Sequence, residues 1–136
     1  MPPMLRAVVA VVVGVIAWFV VATVLNLGLR YSWPDYAEVE RSMAYTLAMM
    51  LARQVIGAGS SLAAGYVVGR TVPSRPRAVW ALVALLLVAT VPAHVWLWDR
   101  FPLWYHIVFL GQVVVLPWFG AQLATRNEPL AGKGAA

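Results

Sequence analysis

Four long apolar segments restrict the folds that this chain can adopt. Backbone N–H and C=O groups inside lipid must be paired within their own segment, so an apolar run that crosses a bilayer is predicted to be helical. A hydrocarbon core about 30 Å thick requires roughly 20 such residues. Four segments reach that length, at about residues 7–29, 43–68, 78–98 and 103–125.

We therefore predict an all-α fold, an integral membrane four-helix bundle that forms one domain over residues 1–125, with a disordered cytoplasmic tail at 126–136. The composition agrees, because hydrophobic side chains make up 62% of the 136 residues and charged side chains only 11%. Soluble domains carry about 25% charged residues. Cysteine is absent, which excludes disulfides, thiolate metal sites and dithiol redox chemistry.

The basic residues predict how the four segments are oriented. Four spans place both termini and the connection between the second and third segments on the same side of the membrane. An excess of Lys and Arg marks the cytoplasmic side. The side that holds the termini has the larger basic set, namely Arg6, Arg70, Arg75, Arg77, Arg126 and Lys133, whereas the other side has Arg30, Arg41 and Arg100. Both termini are therefore predicted to be cytoplasmic.

The position of the basic residues also indicates the partner. They flank the apolar segments and do not form one polar face, so the net charge of +5 indicates contact with the lipid bilayer and not with nucleic acid. Almost all of them are arginine, a bias associated with GC-rich bacterial genomes. We expect a multi-pass protein of the bacterial cytoplasmic (inner) membrane.

Two of the connections carry structural signals. In "YSWPDYAEVERS" (31–42), Ser32 is a candidate N-cap, Pro34 suits a first helical turn, and Asp35 stands at the third position. This pattern predicts a short interfacial helix between the first and second spans. The turn "DRFP" (99–102) is so short that the third and fourth helices must be antiparallel neighbours.

Arg53 interrupts the second apolar segment. It stands about ten residues into that helix, or roughly 15 Å from its outer end, which is near the bilayer centre. An arginine there costs about 2.5 to 3.5 kcal/mol, so its side chain must face protein or water. Small residues follow it at four-residue steps, and they form a predicted packing seam for another helix, made of Gly57, Ser61, Gly65 and Gly69.

The side chain of Arg53 should lean toward the outer end of its helix, because helical side chains point toward the N-terminus. Polar residues predicted near that depth are Asn26, His94, His106 and Gln112, and the loop carboxylates Asp35, Glu38 and Glu40 are candidates to cover the same cavity. Two interpretations follow. Arg53 either fixes the packing of the bundle through hydrogen bonds, or faces a cavity open to the periplasm and binds an anion or lipid headgroup.

The segment "HVWLWDRFPLWYH" (94–106) offers a second candidate site. His94 and His106 stand at similar depth on adjacent helices, as a pair of haem or metal ligands would. Two histidines without a third ligand are a weak metal signal, so we predict no metal and no cofactor. The surrounding aromatic residues, with those of the first loop, predict an interfacial belt of Tyr31, Trp33, Tyr36, Tyr45, Trp96, Trp98, Phe101, Trp104 and Tyr105.

Two motifs, "MMLARQ" (49–54) and "LWDRFPLWYH" (97–106), resemble those of small, uncharacterised four-span inner-membrane proteins of bacteria. That resemblance implies a four-span fold and no particular activity. Small multidrug-resistance transporters have a comparable size, but the glutamate that marks their first helix is missing from the first segment here.

The sequence contains no nucleophile–base constellation, P-loop or dinucleotide fingerprint, so it predicts a protein that is not an enzyme. We expect an accessory or assembly subunit that binds a membrane-protein partner, or a homo-oligomer, because the packing seam suits close helix association. The alternative is a small transporter or channel with a polar cavity lined by Arg53.

Overall fold

The computed structural model describes residues 1–73 and 75–127, and within these residues the regular structure is entirely helical. This confirms the all-α prediction. The helices are α1 (Pro3–Ser32), α2 (Pro34–Val39), α3 (Leu47–Thr71), α4 (Pro76–Trp96) and α5 (Leu103–Arg126). The predicted tail at 126–136 lies outside the described residues from position 128 onward.

Four of these helices are long and apolar enough to cross a membrane. Over an 18-residue window the mean hydropathy is 2.9 in α1, 1.2 in α3, 2.2 in α4 and 1.8 in α5. The lowest value belongs to α3, which contains Arg53, Gln54 and several small residues. The chain is therefore a multi-pass membrane protein, as the four apolar segments predict.

The break between α1 and α2 falls one residue later than the sequence predicts. Ser32 does not cap α2. It ends α1, and its hydroxyl donates to the Gly28 carbonyl oxygen at 2.8 Å. The break occurs at Trp33 because the residue before a proline is disfavoured in the helical conformation, and Pro34 then occupies the first position of α2. The prediction of Ser32 as the cap was wrong, and α2 itself is a short helix.

The start of α3 also differs from the sequence expectation of residue 43. Met43 adopts a left-handed conformation, with φ at 55°, which ends the turn after α2 and is incompatible with a continuous helix. Thr46 then caps α3, because its Oγ1 accepts the backbone N–H of Met49 at 3.3 Å. The segment 44–46 is consequently non-helical and brings Tyr45 over the end of the bundle.

The bundle is organised around α3, which lies between α1 and α5 and packs most extensively on α5. The packing seam explains this close approach. A methyl group on Gly65 would overlap the backbone carbonyl of Pro117, and one on Gly120 would overlap that of Leu62. Gly57 and Gly69 also face α5, whereas the Ser61 hydroxyl accepts a hydrogen bond from the Trp18 indole at 3.1 Å.

Apolar and polar interiors occupy opposite ends of the bundle. The end that holds Pro3 and the turn before α4 contains most of an apolar core. This core consists of Ala10, Val11, Trp18, Ala64, Val68, Val72, Ala78, Val79, Leu82, Leu86 and Val113. The other end carries α2 and the turn at 97–102, and we call it the α2 end. Its interior contains the buried polar side chains of Gln54, His94 and His106.

Candidate functional site: an arginine beside an open crevice

Arg53 projects from α3 toward the α2 end, where three tyrosine hydroxyls surround its guanidinium. Its Nε donates to the Tyr105 hydroxyl at 3.1 Å, and its Nη1 donates to the Tyr36 hydroxyl at 2.9 Å. A longer contact of 3.5 Å joins Nη1 to the Tyr45 hydroxyl. We call Tyr36, Tyr45 and Tyr105 the tyrosine cage. Since these residues lie in α2, in the segment before α3 and in α5, Arg53 connects three parts of the chain.

Aromatic packing holds the tyrosine cage in place. The Tyr45 ring lies 5.4 Å from that of Tyr36 and 5.8 Å from that of Phe101, measured between centroids. Phe101 in turn stacks on Tyr105 at 4.4 Å. The Arg53 guanidinium carbon lies 4.9 Å from the Tyr45 ring centroid, within the range of a cation–π interaction. The cage therefore stabilises the positive charge through neutral groups alone.

The tyrosine cage uses only part of the guanidinium. Arginine has five N–H donors, and the three cage contacts engage the single Nε hydrogen and the two Nη1 hydrogens. Among the described residues, Arg53 Nη2 has no hydrogen-bond partner. The one side-chain nitrogen or oxygen atom there that is fully buried without a partner is His106 Nε2, so Arg53 Nη2 is not fully buried. Both Nη2 hydrogens are thus left without a partner among the described residues.

No carboxylate neutralises Arg53. In residues 1–73 and 75–127 the one ion pair joins Arg30 to Glu40, and the exposed side chains of Asp35 and Glu38 make no hydrogen bond. The loop carboxylates therefore do not cover Arg53 as the sequence suggested. The turn after α2 directs Glu40 toward Arg30, and the three cage phenols occupy the positions around the guanidinium.

An open crevice of about 320 Å³ lies beside Arg53, between α1, α3 and α5. Its polar lining includes Thr23, Asn26, Arg30, Arg53 and Tyr105, and its apolar lining includes Phe19, Ile56 and Phe109. Asn26 is tied to the cage because its Oδ1 accepts the Tyr36 hydroxyl at 3.1 Å. The crevice thus presents two arginines, and no Asp or Glu is among the described residues that line it.

A pair of glutamines lies below the tyrosine cage. Gln54 is buried, and its Nε2 donates to the backbone carbonyl of Tyr105 at 2.9 Å. The Gln112 side-chain amide donates to Gln54 Oε1 and to the Gln54 backbone carbonyl, both at 3.1 Å. Gln112 therefore pairs with Gln54 and not with Arg53. This network fixes α5 to α3 at the residue next to Arg53.

His94 and His106 form a separate buried pair. Their Nδ1 atoms lie 2.8 Å apart, which is a hydrogen-bond distance. Two nitrogens on one tetrahedral zinc ion would be about 3.3 Å apart, and axial haem ligands would be farther still, so this geometry favours a direct hydrogen bond over ligation. The part of the chain that the structure describes holds no group of three or more His, Cys, Asp or Glu side chains suited to a metal. His94 packs against Phe109 and Tyr105, with ring centroids 4.5 Å and 6.0 Å apart, and these two residues line the crevice whereas neither histidine does.

The structure therefore brings together only part of the predicted polar set. Asn26 reaches Arg53 through Tyr36, whereas His94, His106 and Gln112 make contacts of their own. The sequence analysis missed the cage phenols, which it placed in an interfacial belt, and it missed Gln54. One sequence signal could have identified Tyr105. It is the third residue of α5 and lies near the end of the bundle toward which the Arg53 side chain leans.

Comparisons with protein-family models, with curated proteins and with solved structures found no match to this chain.

Proposed function

We propose that the chain is a non-enzymatic protein of the bacterial inner membrane that binds an anion in the crevice beside Arg53. Both termini are cytoplasmic in this proposal, α2 lies at the periplasmic interface, and the crevice opens toward the periplasmic side. The proposal keeps the sequence-based alternative of a polar cavity lined by Arg53. A small transporter or a lipid-binding protein would use such a site to hold its ligand.

One observation carries the proposal: Arg53, whose Nη2 has no hydrogen-bond partner and is not fully buried, lines a crevice that also contains Arg30 and lacks a lining carboxylate among the described residues. A guanidinium within the apolar part of a membrane is costly without a partner. Each Nη2 hydrogen can donate a charge-assisted hydrogen bond to an oxygen atom of a carboxylate or phosphate.

A purely structural role for Arg53 is the competing interpretation. The tyrosine cage gives it three hydrogen bonds and a cation–π contact, and these connect α2, α3 and α5 without any ligand. The two interpretations differ in what the folded protein does with an added anion. A structural clamp predicts no saturable response, whereas a binding site predicts stabilisation by the ligand.

Inorganic phosphate is a suitable probe of the site. We expect the thermal unfolding midpoint of the protein in a zwitterionic detergent to rise saturably with phosphate at constant ionic strength, because only the folded state has the crevice. Arg53→Lys should weaken the apparent affinity about tenfold or more, since the lysine ammonium cannot keep the planar contacts to the tyrosine cage that hold Nη2 in place. Arg100→Gln is the matched control, because Arg100 lies at the same end, outside the crevice, and should respond like the parent chain.

Two results would count against the proposal. If phosphate has no saturable effect on the parent chain, the crevice does not bind this anion. If, in addition, Arg53→Lys prevents accumulation of folded protein, Arg53 is a structural clamp.

A role as an accessory or assembly subunit is a second candidate. It is supported by the short connections between the membrane helices, of which the longest described is 33–46, because such a chain must act mainly within the bilayer. The packing seam no longer supports it, since Gly57, Gly65 and Gly69 are filled by α5 of the same chain. Purification from the native host tests this role, and a monomer with no co-purifying protein would exclude it.

A further inference from the structure

The crevice is amphipathic along the direction of α1. Arg30 and Asn26 line its outer part, and Phe19 lines its deep part. Arg30 and Phe19 are separated by 11 residues, and at 1.5 Å per residue this is about 16 Å along the helix. One leaflet of a hydrocarbon core about 30 Å thick has nearly the same depth. The polar and apolar parts of the crevice are therefore spaced like the headgroup and acyl chain of a lipid.

The crevice is also open toward the side. Phe19, Thr23 and Leu27 follow one another at four-residue steps along α1 and line the crevice while remaining exposed. Phe19 is 48% exposed and Leu27 is 42% exposed. α1 and α5 lie on either side of α3 and do not pack extensively on each other. In a bilayer this stripe faces acyl chains, so a ligand can enter laterally from the lipid.

The charge of the crevice selects among lipids. Arg53 has two unengaged N–H donors on Nη2, and Arg30 adds a second guanidinium that is already paired with Glu40. Phosphate oxygens can accept charge-assisted hydrogen bonds from Nη2. A zwitterionic headgroup would place its own cation near Arg53, whose charge no carboxylate of the described residues neutralises, whereas an acidic phospholipid brings a phosphate without that cation.

From this geometry we infer that the ligand of the crevice is an acidic phospholipid of the outer leaflet, with its phosphate on Arg53 Nη2 and one acyl chain along Thr23 and Phe19. This inference rests on the proposed anion site and names its ligand. The acyl chain lies between α1 and α5, and the phosphate lies beneath the tyrosine cage.

Native mass spectrometry tests the inference on the full chain released from micelles that contain equal amounts of phosphatidylglycerol and phosphatidylcholine with identical acyl chains. We expect one phosphatidylglycerol adduct per chain in preference to phosphatidylcholine. Arg53→Gln should reduce this preference about tenfold or more, because hydrogen bonds to a charged group are lost. Arg100→Gln, with the same change in charge outside the crevice, should retain it.

A second pair of variants probes the acyl-chain part of the site and does not depend on Arg53. Thr23→Phe places a ring in the crevice at an exposed position of α1, where it should not disturb folding. It should reduce phosphatidylglycerol binding, because the ring fills the space assigned to the acyl chain. Val24→Phe adds a ring at the neighbouring position, which is 61% exposed and lies outside the crevice, and it should bind phosphatidylglycerol like the parent chain.

The outcomes separate this inference from the proposed function. If inorganic phosphate stabilises the protein through Arg53 but phosphatidylglycerol binds no better than phosphatidylcholine, the site takes a soluble anion and the lipid assignment is wrong. The same conclusion follows if Thr23→Phe and Val24→Phe bind phosphatidylglycerol equally. If neither phosphate nor phosphatidylglycerol binds, the anion site itself is refuted.

Discussion

At the scale of single residues, Arg53 is held by neutral phenols where a carboxylate would have been the simpler partner. A carboxylate would have cancelled the charge and closed the site. Phenolic hydroxyls accept hydrogen bonds from the guanidinium but leave its charge in place, and the ring of Tyr45 adds a favourable electrostatic contact. The tyrosine cage therefore makes Arg53 tolerable in the membrane without removing its attraction for an anion.

Tyr105 is the cage residue whose contribution is easiest to measure. It is 3% exposed, and its hydroxyl accepts the Nε hydrogen of Arg53. Tyr105→Phe retains the ring but leaves a buried N–H without an acceptor, so we expect the free energy of unfolding in detergent to fall by about 1 to 2 kcal/mol. Tyr31→Phe is the control, because Tyr31 is 87% exposed and its loss of a hydroxyl should change the free energy little. Equal effects of the two changes would show that the cage does not bear on stability.

At the scale of helices, the contact between α3 and α5 determines where the tyrosine cage and the glutamine pair meet. Gly65 lies against the backbone of Pro117, and Gly120 lies against that of Leu62, so each helix supplies a glycine where the other approaches. Small residues allow this approach in membrane proteins. The close crossing brings Tyr105 of α5 within reach of both Arg53 and Gln54 of α3.

Gly65 therefore tests whether this crossing supports the site. Its missing side chain would meet backbone atoms of Pro117, which cannot rotate away, so Gly65→Ala should force α3 and α5 apart and destabilise the protein by about 1 to 3 kcal/mol or more. Gly59→Ala is the matched control on the same helix. A methyl group on Gly59 would lie 3.5 Å from Leu25 Cδ1, an ordinary contact, so the change should be neutral or stabilise by up to about 1 kcal/mol. If Gly65→Ala were as stable as Gly59→Ala, the close crossing would not exist.

At the scale of the whole molecule, the two ends of the bundle have interiors of different polarity. The end near Pro3 is filled by an apolar core, whereas the α2 end holds the polar networks and the crevice. A core at one end stabilises the helices without restricting the other end. This division allows the crevice beside Arg53 to stay open in a chain of only 136 residues.

The proposed orientation makes a prediction about the whole chain. A reporter enzyme that is active only in the periplasm should be inactive when fused after Arg126 and active when inserted in the turn at 97–102, because the larger set of basic residues lies on the side of the termini. A fusion that is active only in the cytoplasm should give the opposite pattern. Activity of the periplasmic reporter at the C-terminus would reverse the orientation and place the crevice on the cytoplasmic side.

The sequence predicted the four membrane helices because lipid imposes a single solution on an apolar run of that length. It also identified Arg53 as an unusual residue and the glycine spacing of α3 as a packing face. It did not predict the partner of that face, since spacing alone cannot distinguish a helix of the same chain from one of another chain. The tyrosine cage was missed because the path of residues 40–46 depends on the left-handed Met43 and the Thr46 cap, and these position Tyr45 over Arg53.

The central claim is that Arg53 Nη2 binds an anion in the crevice, and anomalous diffraction tests it most directly. Crystals grown with arsenate, a phosphate analogue with a strong anomalous signal, should show an anomalous peak within hydrogen-bonding distance of Arg53 Nη2. The three tyrosine hydroxyls should keep their contacts to Nε and Nη1. A well-ordered crevice without an anomalous peak, or a carboxylate of the chain paired with Nη2, would contradict the account.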